Sequence, residues 1–270
     1  MVDLHLHTTA SDGRLTPLEL VAAAAAAGVT VMAVTDHDTI AACADVRDEA
    51  QRRGIETITG IEITAVENNR DVHMLGYFLD TADRELAAFL DRQRAIRRAR
   101  LEHIGERLAE LAMPIDTAQI VAASAGRSIG RPQVADAMIA AGYVADRREA
   151  FDRWLGSDRP AFVPRTGAAP EQVIATVHRA GGLMSLAHPG RTKLPDPRLE
   201  RLAAAGLDAL EVYHSDHDDA LIAHYASLAD RLGLLRTGGS DFHGDPSHGV
   251  SIGGSTLPPE YWTRLHAAAR

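Results

Sequence analysis

The sequence predicts an α/β protein: a largely parallel sheet covered by helices, as an open doubly wound sheet or a barrel. Three observations carry this. Strand and helix signals alternate at short spacing through the first third of the chain. The alternation stops for a long, almost purely helical stretch and resumes after Pro164. About seven strands result, and alternating strand and helix at this spacing is the signature of βαβ units.

Val2 to His7 reads as the first strand. Thr16-Pro17-Leu18-Glu19 is a capping box with proline at the first helical position, and Gly28 closes the Ala-rich helix that follows. Thr30 to Thr35 is the second strand and Ile40 to Arg53 the second helix, closed by Gly54. Ile55 to Thr64 and Asp71 to Phe78 supply two more strands. From about Thr81 to Arg159 the pattern is helical, punctuated by Pro114, Gly126, Gly130 and Gly142. After Pro164 come a helix from Pro170, a strand Leu183 to Ala187, a further helix, a strand Leu207 to Tyr213, a helix from Asp216 and a strand Leu234 to Thr237. The expected organisation is an α/β unit of residues 1–80 and 160–270, with residues 81–159 as a small helical insertion contributing to the substrate pocket.

Composition narrows the chemistry. The 270 residues are 46% hydrophobic, enough for a buried core, so a disulfide-stapled module or a disordered tail is excluded. Thirteen histidines stand against one cysteine, Cys43, so any metal site has to use imidazole and carboxylate. Met1-Val2 leads straight into Asp3 and His5 without a basic start and apolar stretch, and the expected location is cytoplasmic. A formal net charge of −9 argues against an extended grip on duplex DNA, and no apolar run is long enough to span a bilayer. A small anionic substrate held by a few local cations is compatible with this balance.

The decisive observation is positional. His5 and His7, His37, Glu62, His73, His188, His214, and Asp241 with His243 fall at the C-terminal end of one expected strand after another. In α/β barrels that end is where loops converge on a common site. His5-Leu6-His7 is an i, i+2 pair, so both imidazoles leave the same face of a strand, as a chelating pair must. Glu62 could offer one oxygen to each of two cations, and Asp12, in the Ser11-Asp12-Gly13 turn, could reach over the mouth. His103, His178, His217, His224, His248 and His266 lack such partners and are read as ordinary residues.

The series Asp3-Leu4-His5-Leu6-His7-Thr8, Thr35-Asp36-His37-Asp38, Gly60-Ile61-Glu62-Ile63, His73-Met74-Leu75-Gly76-Tyr77, Ala187-His188-Pro189-Gly190 and Gly239-Ser240-Asp241-Phe242-His243-Gly244 resembles the PHP domain, named for polymerase and histidinol phosphatase. The resemblance covers essentially the whole chain. It implies a distorted seven-stranded β/α barrel and three divalent ions. Carried onto this sequence, it implies that His5, His7, Glu62 and Asp241 hold one ion, that Glu62, His73 and His188 hold a second, and that Asp12, His37 and His243 hold a third. Manganese is the expected metal, with iron and zinc as alternatives. The helical insertion and Gly130-Arg131-Pro132 are similar to the subgroup acting on nucleotides and RNA 5′ ends.

The expected activity is therefore removal of the 3′-phosphate from nucleoside 3′,5′-bisphosphates. Alternatives are a 5′-to-3′ exoribonuclease on short RNA, another small-molecule phosphatase such as one for histidinol phosphate, an amidohydrolase of C–N bonds, and a non-catalytic metal-binding scaffold. Glu62 and Asp241 are the expected catalytic metal holders, and His214 a proton donor or phosphoryl contact. Arg131 stands at an expected helix start, where backbone N–H groups favour an anion; Ser128 and Arg191 join it as substrate contacts. Lys193 and the arginines from Arg92 to Arg100 are expected to be solvated. Asp3, Asp36 and Asp38 lie within two residues of expected ligating histidines, where a carboxylate can accept the spare imidazole N–H and orient the ring, or equally serve as a cap or turn residue.

Overall fold

A computed structural model describes residues 1–124, 127–245 and 249–269; Gly126 and His248 lie outside them. Strand β1 (Val2–Leu6) leads through the Asp12 turn to helix α1 (Pro17–Ala26). The predicted capping box forms there, with Thr16 and Glu19 bonding reciprocally. Then follow β2 (Val31–Val34), α2 (Cys43–Arg52), β3 (Glu56–Glu67) and β4 (Arg70–Tyr77). A helical run comes next: α3 (Arg84–Glu110), α4 (Thr117–Ala123), α5 (Arg131–Ala140) and α6 (Arg147–Ala150), ending in a π-helical turn at Phe151–Leu155. The chain returns through α7 (Pro170–Arg179), β5 (Leu183–Leu186), α8 (Pro189–Thr192), α9 (Asp196–Ala204), β6 (Ala209–His214), α10 (Asp219–Leu232), β7 (Leu235–Gly239) and α11 (Pro259–Ala268).

The seven strands neighbour one another in chain order. The ends of the sheet meet: Asp241 N–H donates to His5 O at 2.9 Å and His7 N–H to Phe242 O at 3.0 Å. The result is a nearly closed, distorted barrel ringed by helices, the second of the two architectures open to the sequence. Closure removes the sheet edges and turns one set of strand ends into a single mouth.

One strand departs from the expectation of a largely parallel sheet. β4 runs antiparallel to both β3 and β5. The cause is the two-residue link Asn68-Asn69, both at positive φ (50° and 62°), which makes a tight hairpin. β3 extends to Glu67, beyond the expected Thr64, and the link is too short for a crossover helix. Reversal also changes how His73 arrives: it lies near the start of β4, opposite Thr64, and not at a C-terminal strand end.

The helices between β4 and α7 surround their own apolar cluster, which includes Leu101, Ile104, Leu108, Val134, Met138 and Leu155. Three bonds fasten this part to the turn after β1. Arg127 Nη1 donates to Thr9 O (3.1 Å), Ser128 N to Ala10 O (3.0 Å) and Gln133 Nε2 to Ser11 O (3.0 Å). The first turn of α5 is thereby set over the barrel mouth. Among the described residues, no helix is long and apolar enough to cross a membrane.

The seam between β7 and β1 tolerates no side chain at Gly239, where a Cβ would stand 2.5 Å from His5 Cβ and closer still to its backbone nitrogen. Gly239→Ala should therefore cost about 1–3 kcal/mol by overpacking and displace His5 and Asp241 together. Chemical denaturation and metal content should fall in parallel; a stable variant with full metal content would contradict the seam's role.

Candidate metal centre

Parity delivers His5 and His7 to one face of β1, both with no exposed surface and with ring centroids 5.2 Å apart. Their Nε2 atoms converge with two carboxylate oxygens. His5 Nε2 lies 3.4 Å from Glu62 Oε2 and 3.3 Å from Asp241 Oδ1; His7 Nε2 lies 3.2 and 3.3 Å from the same two atoms. Asp241 reaches this point because the chain turns through positive φ (57°) just past β7.

Glu62, only 1% exposed on β3, divides its two oxygens. Oε2 faces His5, His7 and His37, the last through Nδ1 at 3.1 Å. Oε1 faces His73 Nδ1 at 2.8 Å and His188 Nε2 at 3.1 Å. A third grouping surrounds Asp12: His243 Nε2 at 3.3 Å, His37 Nε2 at 3.6 Å and His7 Nδ1 at 3.8 Å. The turn bearing Asp12 folds back so tightly that a Cβ on Gly13 would stand 2.5 Å from His7 O, so glycine is required there. Asp36 braces the turn, accepting from Thr8 N and Oγ1 and from Ser11 Oγ.

The donor chemistry fits divalent cations. Ligands about 2.0–2.2 Å from one ion stand about 3–3.5 Å from each other, the spacing of the four contacts among His5, His7, Glu62 and Asp241. Among the described residues His5 Nε2, His7 Nδ1 and Nε2, His37 Nδ1 and Glu62 Oε2 are buried without a hydrogen-bond partner, which a native interior tolerates only when something else satisfies them. Among the described residues, four groups have donor atoms within 4.8 Å of one another: His5-His7-Glu62-Asp241, His7-Asp12-His37-His243, His37-Glu62-His73 and His5-Glu211-His214. All nine residues expected as ligands are brought to one mouth. Within it, His37 stands close to Glu62 as well as to Asp12, and His188 meets Glu62 without falling in any of these four groups.

Electrostatics reinforce the picture. Burial pulls His37 well below its ordinary range and His188 down to about 4, so both offer neutral nitrogen. Burial also opposes charge on His5 and His7, but surrounding carboxylates outweigh it: Glu211, Asp241 and Glu62 hold His5 well up, and Asp241 with Glu62 raises His7 to about 10. Burial would raise Glu62, Asp12 and Asp241, yet the imidazoles hold all three well below the usual carboxylate range.

Comparison with known proteins agrees with this geometry. A family model for the PHP domain matches residues 3–154. The chain belongs to the PHP-domain family. It is 33% identical to the 3′,5′-nucleoside bisphosphate phosphatase of Chromobacterium violaceum, over 98% of this chain and 96% of that one. It is 36% identical to the 5′-3′ exoribonuclease Rnm of Escherichia coli, over 93% of this chain and 87% of that one. A crystal structure from Bifidobacterium adolescentis, proposed to be a metal-dependent phosphoesterase, superposes with a TM-score of 0.89 at 33% identity, covering 97% of this chain and 94% of its own.

Around the PHP donor set, several residues are placed differently from expectation. Among the described residues, Asp3, Asp36 and Asp38 accept no imidazole N–H and take instead the backbone-holding role, the other reading open to them. Asp3 takes the backbone N–H groups of Ser240 and Gly253, and Asp38 takes Thr64 N–H and the Arg97 guanidinium, so these carboxylates hold the backbone that carries the donors. The carboxylate that takes the remaining nitrogen of His5 is Glu211, fully buried, with Oε1 2.9 Å from His5 Nδ1. Strand parity hides it: a register shift between Glu211 and Tyr213 lets Glu211 and His214 turn to the same side although three residues apart. His214 accepts Asp216 N–H at Nδ1 (3.0 Å) and points Nε2 at Asp241 Oδ2 (3.4 Å). Arg191, at the mouth, pairs with Asp241 Oδ2 (2.9 Å) and Asp216 (3.3 Å).

The arginines of α3 are also corrected. Arg97 and Arg100 are not solvated; each is 7% exposed and lies on the buried stripe of α3 with Leu90, Leu101 and Ile104. With Arg131 and Arg165 they line a small cavity of about 10 Å³, room for about one water molecule. Two carboxylates face these four guanidinium groups. Asp38 pairs with Arg97 and Arg165, and Asp71 with Arg100, Arg131 and Arg165. Burial drives Arg100 to about 10 and Arg165 to about 9, both still charged at neutral pH, while the same arginines hold Asp71 far down against its own burial. Arg100 Nη2, Arg165 Nε and, one residue before the lining Ile129, Ser128 Oγ are buried without a hydrogen-bond partner among the described residues, Arg165 Nε facing Asp71 Oδ1 only at 3.6 Å. The 3.5-residue spacing from Leu90 through Arg97 and Arg100 to Ile104 was the available signal for Arg97 and Arg100.

Because His5 and His7 hold protons that a cation must displace, metal binding should release protons and tighten as pH rises from 6 to 8. Calorimetric titration with Mn²⁺ in two buffers of different ionisation enthalpy should give different heats; identical heats would contradict this assignment.

Proposed function

We propose that this PHP-domain hydrolase removes the 3′-phosphate of nucleoside 3′,5′-bisphosphates, leaving the 5′-monophosphate. Phosphoester hydrolysis itself follows from family membership and the donor set. The observation that carries the finer reading is the arginine cavity beside that set. Asp38, directly after His37, and Asp71, two residues before His73, link the cavity to the donors. A site with an excess of guanidinium charge and unpartnered donors is suited in charge to a phosphate, which enters only if a lining side chain such as Arg131 moves aside, because the cavity as it stands has a volume of about 10 Å³. A substrate with two phosphates can satisfy both places at once, its 3′-phosphoryl at the metal donors and its 5′-phosphate among the arginines.

Bound divalent ions supply a nucleophile from water at neutral pH and offset charge on the phosphoryl oxygens. In this reading Glu62, offering one oxygen to each side, holds two of the ions in register, with Asp241 beside it. Arg131 is the cavity's adjustable member: it stacks on Phe151 and Phe162 and reaches Asp71 at 3.4 Å. Ser128 adds a free hydroxyl. His214 has Nδ1 committed to Asp216 N–H, which leaves Nε2 as the nitrogen that can present a proton to the leaving alkoxide. Arg191 can turn from Asp241 to a phosphoryl oxygen at the open side of the mouth.

The 5′-to-3′ exoribonuclease reading shares this chemistry, and the similarity to the E. coli exoribonuclease favours keeping it. A 5′-phosphate would occupy the same cavity, with a phosphodiester in place of the terminal 3′-phosphate. Comparing adenosine 3′,5′-bisphosphate, a 5′-phosphorylated short oligoribonucleotide and its 5′-hydroxyl counterpart, with manganese, separates the two. The bisphosphate should give the highest kcat/KM. Faster turnover of the oligoribonucleotide would transfer the assignment, and equal turnover of substrates lacking a 5′-phosphate, histidinol phosphate among them, would remove the cavity's role. Arg131→Ala should raise KM about tenfold or more with little change in kcat, whereas His214→Ala should lower kcat with KM retained. A kcat effect at Arg131 or unchanged turnover at His214 would contradict these roles.

A further inference from the structure

Glu211 stands outside the ligand sets, yet it touches two of their members. Both of its oxygens are engaged and the side chain has no exposed surface. Oε1 accepts the Nδ1–H of His5 at 2.9 Å, and Oε2 accepts the backbone N–H of His188 at 2.6 Å. These two histidines come from β1 and from the end of β5, on opposite sides of Glu62.

Each contact has a consequence. An imidazole whose Nδ1–H stays on a carboxylate gives up its Nε2 proton, and so offers the Nε2 lone pair, when a cation binds, and Nε2 of His5 is the atom facing Glu62 Oε2 and Asp241 Oδ1. His188 sits at φ 27°, ψ 62°, a left-handed conformation unusual for a residue other than glycine, immediately before Pro189. Its N–H needs a strong acceptor to hold that turn, and the turn aims Nε2 at Glu62 Oε1. One carboxylate thus selects the tautomer of one donor and fixes the backbone of another.

We infer that Glu211 is a positioning residue for the metal centre, orienting His5 and His188 together without binding an ion itself. The competing assignment is a fourth cation among His5, Glu211 and His214, whose donor atoms also lie within 4.8 Å of one another. It would require Nδ1 of His5 to give up its proton while Nε2 serves another ion, and His214 has already committed Nδ1 to Asp216 N–H. The inference rests on reading His5 and His188 as metal donors.

Mn²⁺ titration of the metal-free full chain, with free Mn²⁺ followed by electron paramagnetic resonance and bound metal counted by mass spectrometry, tests it. Glu211→Gln keeps the volume but can accept only one of the two N–H groups and sets an amide N–H against the other. It should weaken Mn²⁺ binding about 10–100-fold while reaching the same number of ions at saturation. Glu211→Ala should do at least as much, and circular dichroism of both metal-free variants should match wild type. A Glu211→Gln titration superimposable on wild type overturns the proposal. So does a variant saturating one ion short, which would make Glu211 a ligand, or loss of fold in both metal-free variants, which would make its role structural. Failure of wild type itself to bind Mn²⁺ would instead overturn the reading of His5 and His188 as donors.

Discussion

Glu62 is the constraint on which the rest of the structure depends. A carboxylate 1% exposed inside a barrel is tolerable only if compensated, and here five imidazoles from four other segments face its two oxygens. Each segment must therefore end at the same depth and the same side of the mouth. Barrel closure at β1 and β7, the reversal of β4 that brings His73 in from the opposite direction, and the left-handed turn at His188 all serve this requirement.

The second polar interior follows the same logic with the opposite sign. Around Asp38 and Asp71, four arginines gather from α3, α5 and the segment before α7. The metal donors call for cations, and the arginine cavity carries excess positive charge. Under the proposed function, a doubly phosphorylated ligand would answer both, with one phosphate at the metal donors and the other among the guanidinium groups. The net charge of −9 says nothing of this, because it sums over the whole surface while recognition depends on two buried places.

The helices between β4 and α7 connect the two interiors. α3 supplies Arg97 and Arg100, α5 supplies Arg131, and backbone or side-chain bonds from Arg127, Ser128 and Gln133 hold the turn that carries Asp12. A segment with its own apolar cluster thus completes both the cavity wall and the support of the Asp12 grouping.

The sequence by itself determined the α/β class, the seven strands, the capping box at Thr16 and the nine histidine and acidic residues at the mouth. Most of these are readable because strand parity and strand-end position are local properties: His5 and His7 share a face whatever else the chain does, whereas Asp12 lies in a turn and His73 reaches the mouth from near the start of a reversed strand. Tertiary structure decided what depends on remote partners. The direction of β4 turned on the two-residue Asn68-Asn69 hairpin. Arg97 and Arg100 are buried because Asp38 and Asp71 wait on other elements, and Glu211 faces inward because β6 slips its register against β7. A charge enters a protein interior only when its compensation is there to meet it, and that compensation is assembled by the fold.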